Sequence, residues 1–66
     1  MRLIVNGSPI EVEPGTTLQE VIDRQGILTR FIAVAVNLDC VPRGEYAVKK
    51  LIENDEIEIL SPQQGG

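Results

Sequence analysis

One stretch of this chain carries both the start and the stop signal of an amphipathic helix, and the segments around it alternate like strands. Thr17-Leu18-Gln19-Glu20 matches the capping-box pattern, with Thr17 as N-cap and Glu20 reaching back from the third helical position. Leu18, Val21 and Ile22 then share one face, while Glu20, Asp23 and Arg24 point away from it. Gly26 is placed to end the helix just beyond its last turn. A helix of about two turns is not stable alone in water. It has to lay its apolar stripe on a sheet, and the rest of the chain has to supply that sheet.

The strands follow from alternation and turn chemistry. Arg2 to Val5 places Leu3 and Val5 on one face, and Asn6-Gly7 after it is a strong hairpin signal because both residues tolerate positive φ. Residues 8–13 alternate again, apolar at Ile10 and Val12. Pro9 has no N–H to donate, so this strand starts there or lies at a sheet edge. Pro14-Gly15 breaks it. Phe31 to Val36 is apolar on both faces, as a central strand should be. Ile32, Val34 and Val36 form the larger face that meets the helix, leaving Ala33 and Ala35 on the other. Asn37-Leu38-Asp39-Cys40 reads as a turn, Val41-Pro42 as a very short strand, and Arg43 to Lys50 as a helical turn across the sheet end. Leu51 and Ile52 add core before the Asn54-Asp55 turn. Glu56 to Leu60 is the last strand, with Ile57 and Ile59 inward and Glu58 and Leu60 outward.

A hairpin, one helix and further strands make an α+β fold in which a single helix covers one face of a mixed four- to five-stranded sheet. With Arg2–Val5 beside Glu56–Leu60 as neighbouring central strands, the arrangement resembles the ubiquitin-like β-grasp. The expected division is a domain over residues 1–60 and a flexible tail over residues 61–66, Ser61-Pro62-Gln63-Gln64-Gly65-Gly66. Two closing glycines arise by chance in roughly one chain in 200.

Composition removes several function classes. With 66 residues there is one small domain and little room for a deep catalytic cleft. A net charge of −4 with six scattered basic residues argues against a nucleic-acid surface. There is no histidine, so a His general base, a Ser-His-Asp triad and a histidine metal site are excluded. No run approaches the roughly 20 apolar residues of a membrane span. No secretory signal is visible, and the single cysteine, Cys40, has no internal partner, which together point to the cytoplasm.

The second half carries a more specific pattern. Ala35-Val36-Asn37, Val41-Pro42-Arg43, Tyr46, Leu51, Asn54-Asp55, Ile57-Glu58-Ile59 and Gly65-Gly66 together resemble the thiamine-biosynthesis sulfur carriers of the ThiS family. The first half agrees in element order and in its Asn-Gly hairpin. Two positions depart from the usual pattern: Asn54 stands where glycine is common, and Tyr46 where tryptophan is common. Asparagine also accepts positive φ, so the turn survives. The sister carriers for molybdopterin share the Gly-Gly end but are usually longer and lack the Val-Pro-Arg segment. A ubiquitin-like protein modifier, or a sulfur carrier for molybdopterin or tRNA thiolation, shares the same tail and stands as the alternative.

The resemblance implies that the chain is not an enzyme but a co-substrate. Its reactive group would be the Gly66 carboxylate, adenylated from ATP with Mg²⁺ by a ThiF-like enzyme and then converted to a thiocarboxylate. The sulfur would come from a donor such as a cysteine desulfurase and pass to a ThiG-like thiazole synthase. ATP and Mg²⁺ belong to the adenylating partner, so no cofactor is expected on this chain, and a monomer is the simplest expectation. Gly65 and Gly66 suit a narrow channel because glycine has no Cβ and admits close backbone approach. Ordering such a tail costs about 1–2 kcal/mol per residue, which contacts elsewhere must offset.

Those contacts are expected on the sheet face opposite the helix, at Ile4, Ala33, Ala35 and Leu60, with Glu58 and Arg43 at its rim. The plain alternative is an ordinary partly exposed sheet face. Cys40 has nothing basic or helical beside it in the sequence to make it reactive, so a small turn or strand residue is the expectation. Glu53, Asp55, Glu56 and Glu58 read as a solvated strand end rather than a metal site.

Overall fold

The computed structural model describes residues 1–26 and 32–60. Among the described residues, five strands and one α-helix follow in the order β1 (Arg2–Val5), β2 (Ser8–Glu11), α1 (Leu18–Arg24), β3 (Ala33–Val36), β4 (Asp39–Val41) and β5 (Glu56–Leu60), with a 3-10 turn at Arg43–Glu45. The sheet order is β2-β1-β5-β3-β4. β1 and β5 are parallel neighbours at its centre, and the other pairings are antiparallel. This is the ubiquitin-like β-grasp expected from the sequence, with all five strands present. Phe31 and the tail lie outside the described residues.

The helix forms where its signals stand. Thr17 Oγ1 accepts from the Glu20 N–H and the Glu20 carboxylate accepts from the Thr17 N–H, completing the box. Gly26 follows the last turn at φ +70°, a left-handed conformation that glycine adopts without a Cβ penalty. Leu18, Val21 and Ile22 are fully buried against Leu3, Val5, Val34, Val36, Ile57 and Ile59 from the sheet. Each such aliphatic side chain contributes about 2 kcal/mol on burial, which stabilises a helix too short to stand alone.

Both hairpins are two-residue loops with positive φ at each central position, as a type I′ turn requires. In the first these are Asn6 (φ 50°) and Gly7 (φ 85°). In the second they are Asn37 (φ 51°) and Leu38 (φ 73°), so the turn is narrower than the four-residue Asn37–Cys40 segment expected. Asp39 and Cys40 belong to β4, paired with Val36 and Ala35. Of the expected strand 31–36, Ala33–Val36 is observed and Ile32 stands just before it, Phe31 lying outside the described residues; the second strand ends at Glu11 rather than Glu13. Arg43 to Lys50 forms one 3-10 turn and then an extended bridge, Thr17 opposite Lys50, that closes over the start of α1. Backbone bonds from Leu18 N to Lys49 O and from Gln19 N to Tyr46 O (both 2.9 Å) hold it there.

Leu38 is the strained residue of the second turn. Its side chain is 86% exposed, so little packing offsets the left-handed backbone. That conformation costs an L-residue about 1–2 kcal/mol, against about 0.5–1 kcal/mol for the extra backbone freedom of glycine. Leu38→Gly is therefore expected to raise stability by about 0.5–1 kcal/mol, read as a higher urea midpoint at unchanged slope. A lower midpoint would mean that the leucine side chain packs to the benefit of the fold.

Candidate functional site: the helix-free sheet face and the end of β5

The alternation of each strand sorts the sheet into two faces. Val34, Val36, Ile57 and Ile59 are buried beneath α1, while Ala33, Glu58 and Leu60 are exposed and Ala35 half-buried on the other side. The β3–β5 register sets Ala33 opposite Leu60 and Ala35 opposite Glu58. Cys40 stands opposite Ala35 on β4, and Ile4, half-buried, opposite Glu56 on β1. Two alanines in the middle of this face leave the backbone open to close approach. Leu60, 67% exposed, supplies a large apolar side chain where β5 ends.

Five of the six expected docking residues, Ile4, Ala33, Ala35, Glu58 and Leu60, thus share one face. Arg43 does not join them in the ladder. β4 ends at Val41, and Arg43 opens the 3-10 turn beyond Pro42, exposed beside the segment that covers the helix start. Its charge is felt instead by Tyr46, which is 2% exposed. Burial raises the phenol above its ordinary value of 10.0, the Arg43 guanidinium pulls it back down, and Cys40 adds a smaller upward effect.

The direction fixes a pH dependence. The folded state holds the phenol proton more tightly than the unfolded state. The resulting stabilisation is full below the ordinary value of 10.0 and is lost as pH rises through the raised folded value. Tyr46 is the only tyrosine and there is no tryptophan, so tyrosinate absorbance reports this group alone. Its midpoint is expected above 10.0 in the folded protein, with stability falling on the alkaline side. A folded-state midpoint at or below the ordinary value would overturn the burial argument.

A concavity of about 370 Å³ lies between β4 and the 43–50 segment. Cys40, exposed, lines it together with Lys49, Lys50, Asp39, Glu45 and Asp55. The fold thus brings two lysines to the cysteine's neighbourhood, which adjacency in sequence did not reveal. Carboxylates of Asp39, Glu45 and Asp55 accompany them, so the cavity carries both signs.

Asp55 itself is not a solvated strand-end charge. It is 6% exposed, and its two oxygens accept from Asn37 Nδ2 and from the Ile52 N–H, each at 2.9 Å. Asn37 Oδ1 in turn accepts from the Glu56 N–H at 3.0 Å. The pair ties the β3–β4 turn to the start of β5, while Glu53, Glu56 and Glu58 remain exposed. No group of three or more metal-ligating side chains occurs among the described residues. None of the described helices is long and apolar enough to cross a membrane.

A five-stranded β-grasp with a bare alanine-centred sheet face defines a class of small ubiquitin-like proteins. Comparison narrows the class. The model of the ThiS family matches residues 3–66, and the chain belongs to that family. The sulfur carrier protein ThiS of Thermus thermophilus is 32% identical over 62 residues, covering 94% of this chain and 95% of that protein. A thiazole synthase of Magnetococcus marinus is 36% identical over 66 residues, and one of Paramagnetospirillum magneticum 30%. This chain spans about a fifth (20%) of the length of those two relatives. The crystal structure of a thiamine biosynthesis protein (ThiS) from Geobacter metallireducens shares the fold at a TM-score of 0.82 and 22% identity, over 92% of this chain and 93% of that one. The solution structure of a thiamine biosynthesis protein from the same organism matches at 0.75, over 91% and 81%.

Proposed function

We propose that this chain is a sulfur carrier of thiazole formation in thiamine biosynthesis, working through the carboxylate of Gly66. The observation that carries the reading is membership of the ThiS family over residues 3–66, a match that includes the closing Gly65-Gly66. The Thermus relative named as a sulfur carrier supports it across nearly the whole chain. In this reading residues 1–60 are the docking domain and residues 61–66 the substrate arm.

An ionised carboxylate is a poor electrophile, so activation comes first. The Gly66 carboxylate attacks the α-phosphorus of ATP in a ThiF-like enzyme, giving an acyl adenylate and releasing pyrophosphate. Hydrosulfide then displaces AMP and leaves the thiocarboxylate. A persulfide from a cysteine desulfurase reaches the same product through an acyl disulfide that a second thiol cleaves. A thiazole synthase takes the sulfur, and the relatives bearing that name support the pairing. ATP and Mg²⁺ reside in the adenylating enzyme, and this chain acts as a cytoplasmic, monomeric co-substrate. Ile4, Ala33, Ala35, Glu58 and Leu60 form the surface on which these partners settle. Apolar contact there offsets the entropy of ordering the arm.

Intact mass spectrometry after incubation with a ThiF-like enzyme, ATP and a sulfur donor tests the reading. The expected product is heavier by the replacement of one oxygen by one sulfur, located at Gly66 by fragmentation. Persistent absence of that product with a competent adenylating enzyme would sink the carrier reading. Isopeptide conjugates to lysines of other proteins would replace it with that of a modifier.

A further inference from the structure

β1 ends at Val5, where the chain turns into its hairpin, yet β5 continues in the same direction through Leu60. In a regular parallel ladder the residue after Val5 would donate its N–H to Ile57 and accept the Ile59 N–H at its own carbonyl. Asn6 makes the first bond with its backbone, N to Ile57 O at 2.8 Å. It makes the second with its side chain: Oδ1 accepts from the Ile59 N–H, also at 2.8 Å. The side-chain amide thus stands in for the backbone carbonyl that the turn, at φ 50°, takes away.

We propose that Asn6 is a positioning residue for the C-terminal arm, extending the β1–β5 ladder by one bond and so fixing where and in which direction the chain leaves Leu60. Two requirements select the side chain. The position needs tolerance of positive φ and an acceptor one bond beyond the backbone, which Asn and Asp supply. Glycine supplies the first without the second. Ile59 is 6% exposed, so its N–H has little water to turn to when the acceptor is removed. A change of direction at Leu60 redirects the chain that follows, and six residues span at most about 20 Å. A fixed Leu60 therefore gives a partner one defined point from which to receive residues 61–66. The proposal rests on the carrier reading for its functional half and on the ladder alone for its structural half.

Amide exchange on ¹⁵N-labelled protein, paired with activation kinetics, tests both halves. In the wild type the Ile59 amide is expected to be protected; an unprotected one overturns the proposal without any variant. In Asn6→Gly, with Val21 and Val34 amides still protected, Ile59 is expected to exchange about tenfold faster or more. With a ThiF-like enzyme and ATP, kcat for pyrophosphate release is expected to fall about tenfold, with KM for the carrier within about twofold. Asn6→Asp, which keeps both the turn and the acceptor, restores exchange and kcat together. A faster Ile59 with unchanged kcat overturns the positioning role, as does an Asn6→Asp that behaves like Asn6→Gly. A wild-type chain that is never adenylated overturns the carrier reading and the functional half with it, while Ile59 exchange still decides the structural half.

Discussion

Deleting Gly66 is expected to abolish adenylation while leaving the domain folded. The shortened chain still ends in a glycine carboxylate, that of Gly65, so neither the charge nor the chemistry of the reacting group changes. Its position does, by about 3.8 Å along the chain. A misplacement of about 1 Å at a reacting centre can cost about 100-fold, so a loss of at least about 100-fold in pyrophosphate release is expected. The buried core runs from Leu3 to Ile59, and the thermal midpoint should therefore match that of the full chain. Retained activation would mean that the adenylating site follows the carboxylate wherever it lies. Loss of the fold would contradict the division at residue 60.

The largest effect on stability is expected at Asp55, away from the proposed chemistry. Asp55→Ala removes the acceptor for Asn37 Nδ2 and for the Ile52 N–H in a place that is nearly dry. Each donor left unpaired costs about 1–3 kcal/mol, for a combined loss of about 3 kcal/mol. A domain of this size is stable by the order of 3–10 kcal/mol, so the variant should approach its unfolding limit at ordinary temperature. Urea denaturation measures the change. A loss below about 1 kcal/mol would indicate that water enters and replaces the carboxylate.

These two sites differ in how visible they were in the sequence. The alternation of β5 placed Ile57 and Ile59 inward and Glu58 and Leu60 outward, and β3 sorted its valines from its alanines the same way. Four residues of the bare face followed from strand period alone. The capping box, Gly26 and the Asn6-Gly7 turn were equally legible, because each depends on neighbours within a few residues. Asp55 was not. Its burial is set by Asn37, 18 residues away, and a carboxylate in an acidic stretch reads as solvated until that partner is known. The Asn6 to Ile59 bond spans 53 residues and is hidden for the same reason, although the Asn6-Gly7 pair itself marks a turn. Leucine carries no signal of positive φ, so the sequence pattern predicts a wider second turn and a shorter β4 than the structure has. The sequence pattern predicts Arg43 at the rim of the bare face, but the strand stops at Val41 and the chain leaves the sheet before reaching it.

The parallel pairing of β1 with β5 has a mechanical consequence. A partner that draws the chain beyond Leu60 into a channel pulls along the axis of β5. That strand is held on one side by Ile4 N to Asp55 O, Asn6 N to Ile57 O and the Asn6 side chain, and on the other by the antiparallel ladder to β3. Tension along the axis loads these bonds together, in shear, rather than peeling them open one after another. β5 is thus paired on both flanks, so traction applied beyond Leu60 would be met by its ladder bonds together before the body could unravel.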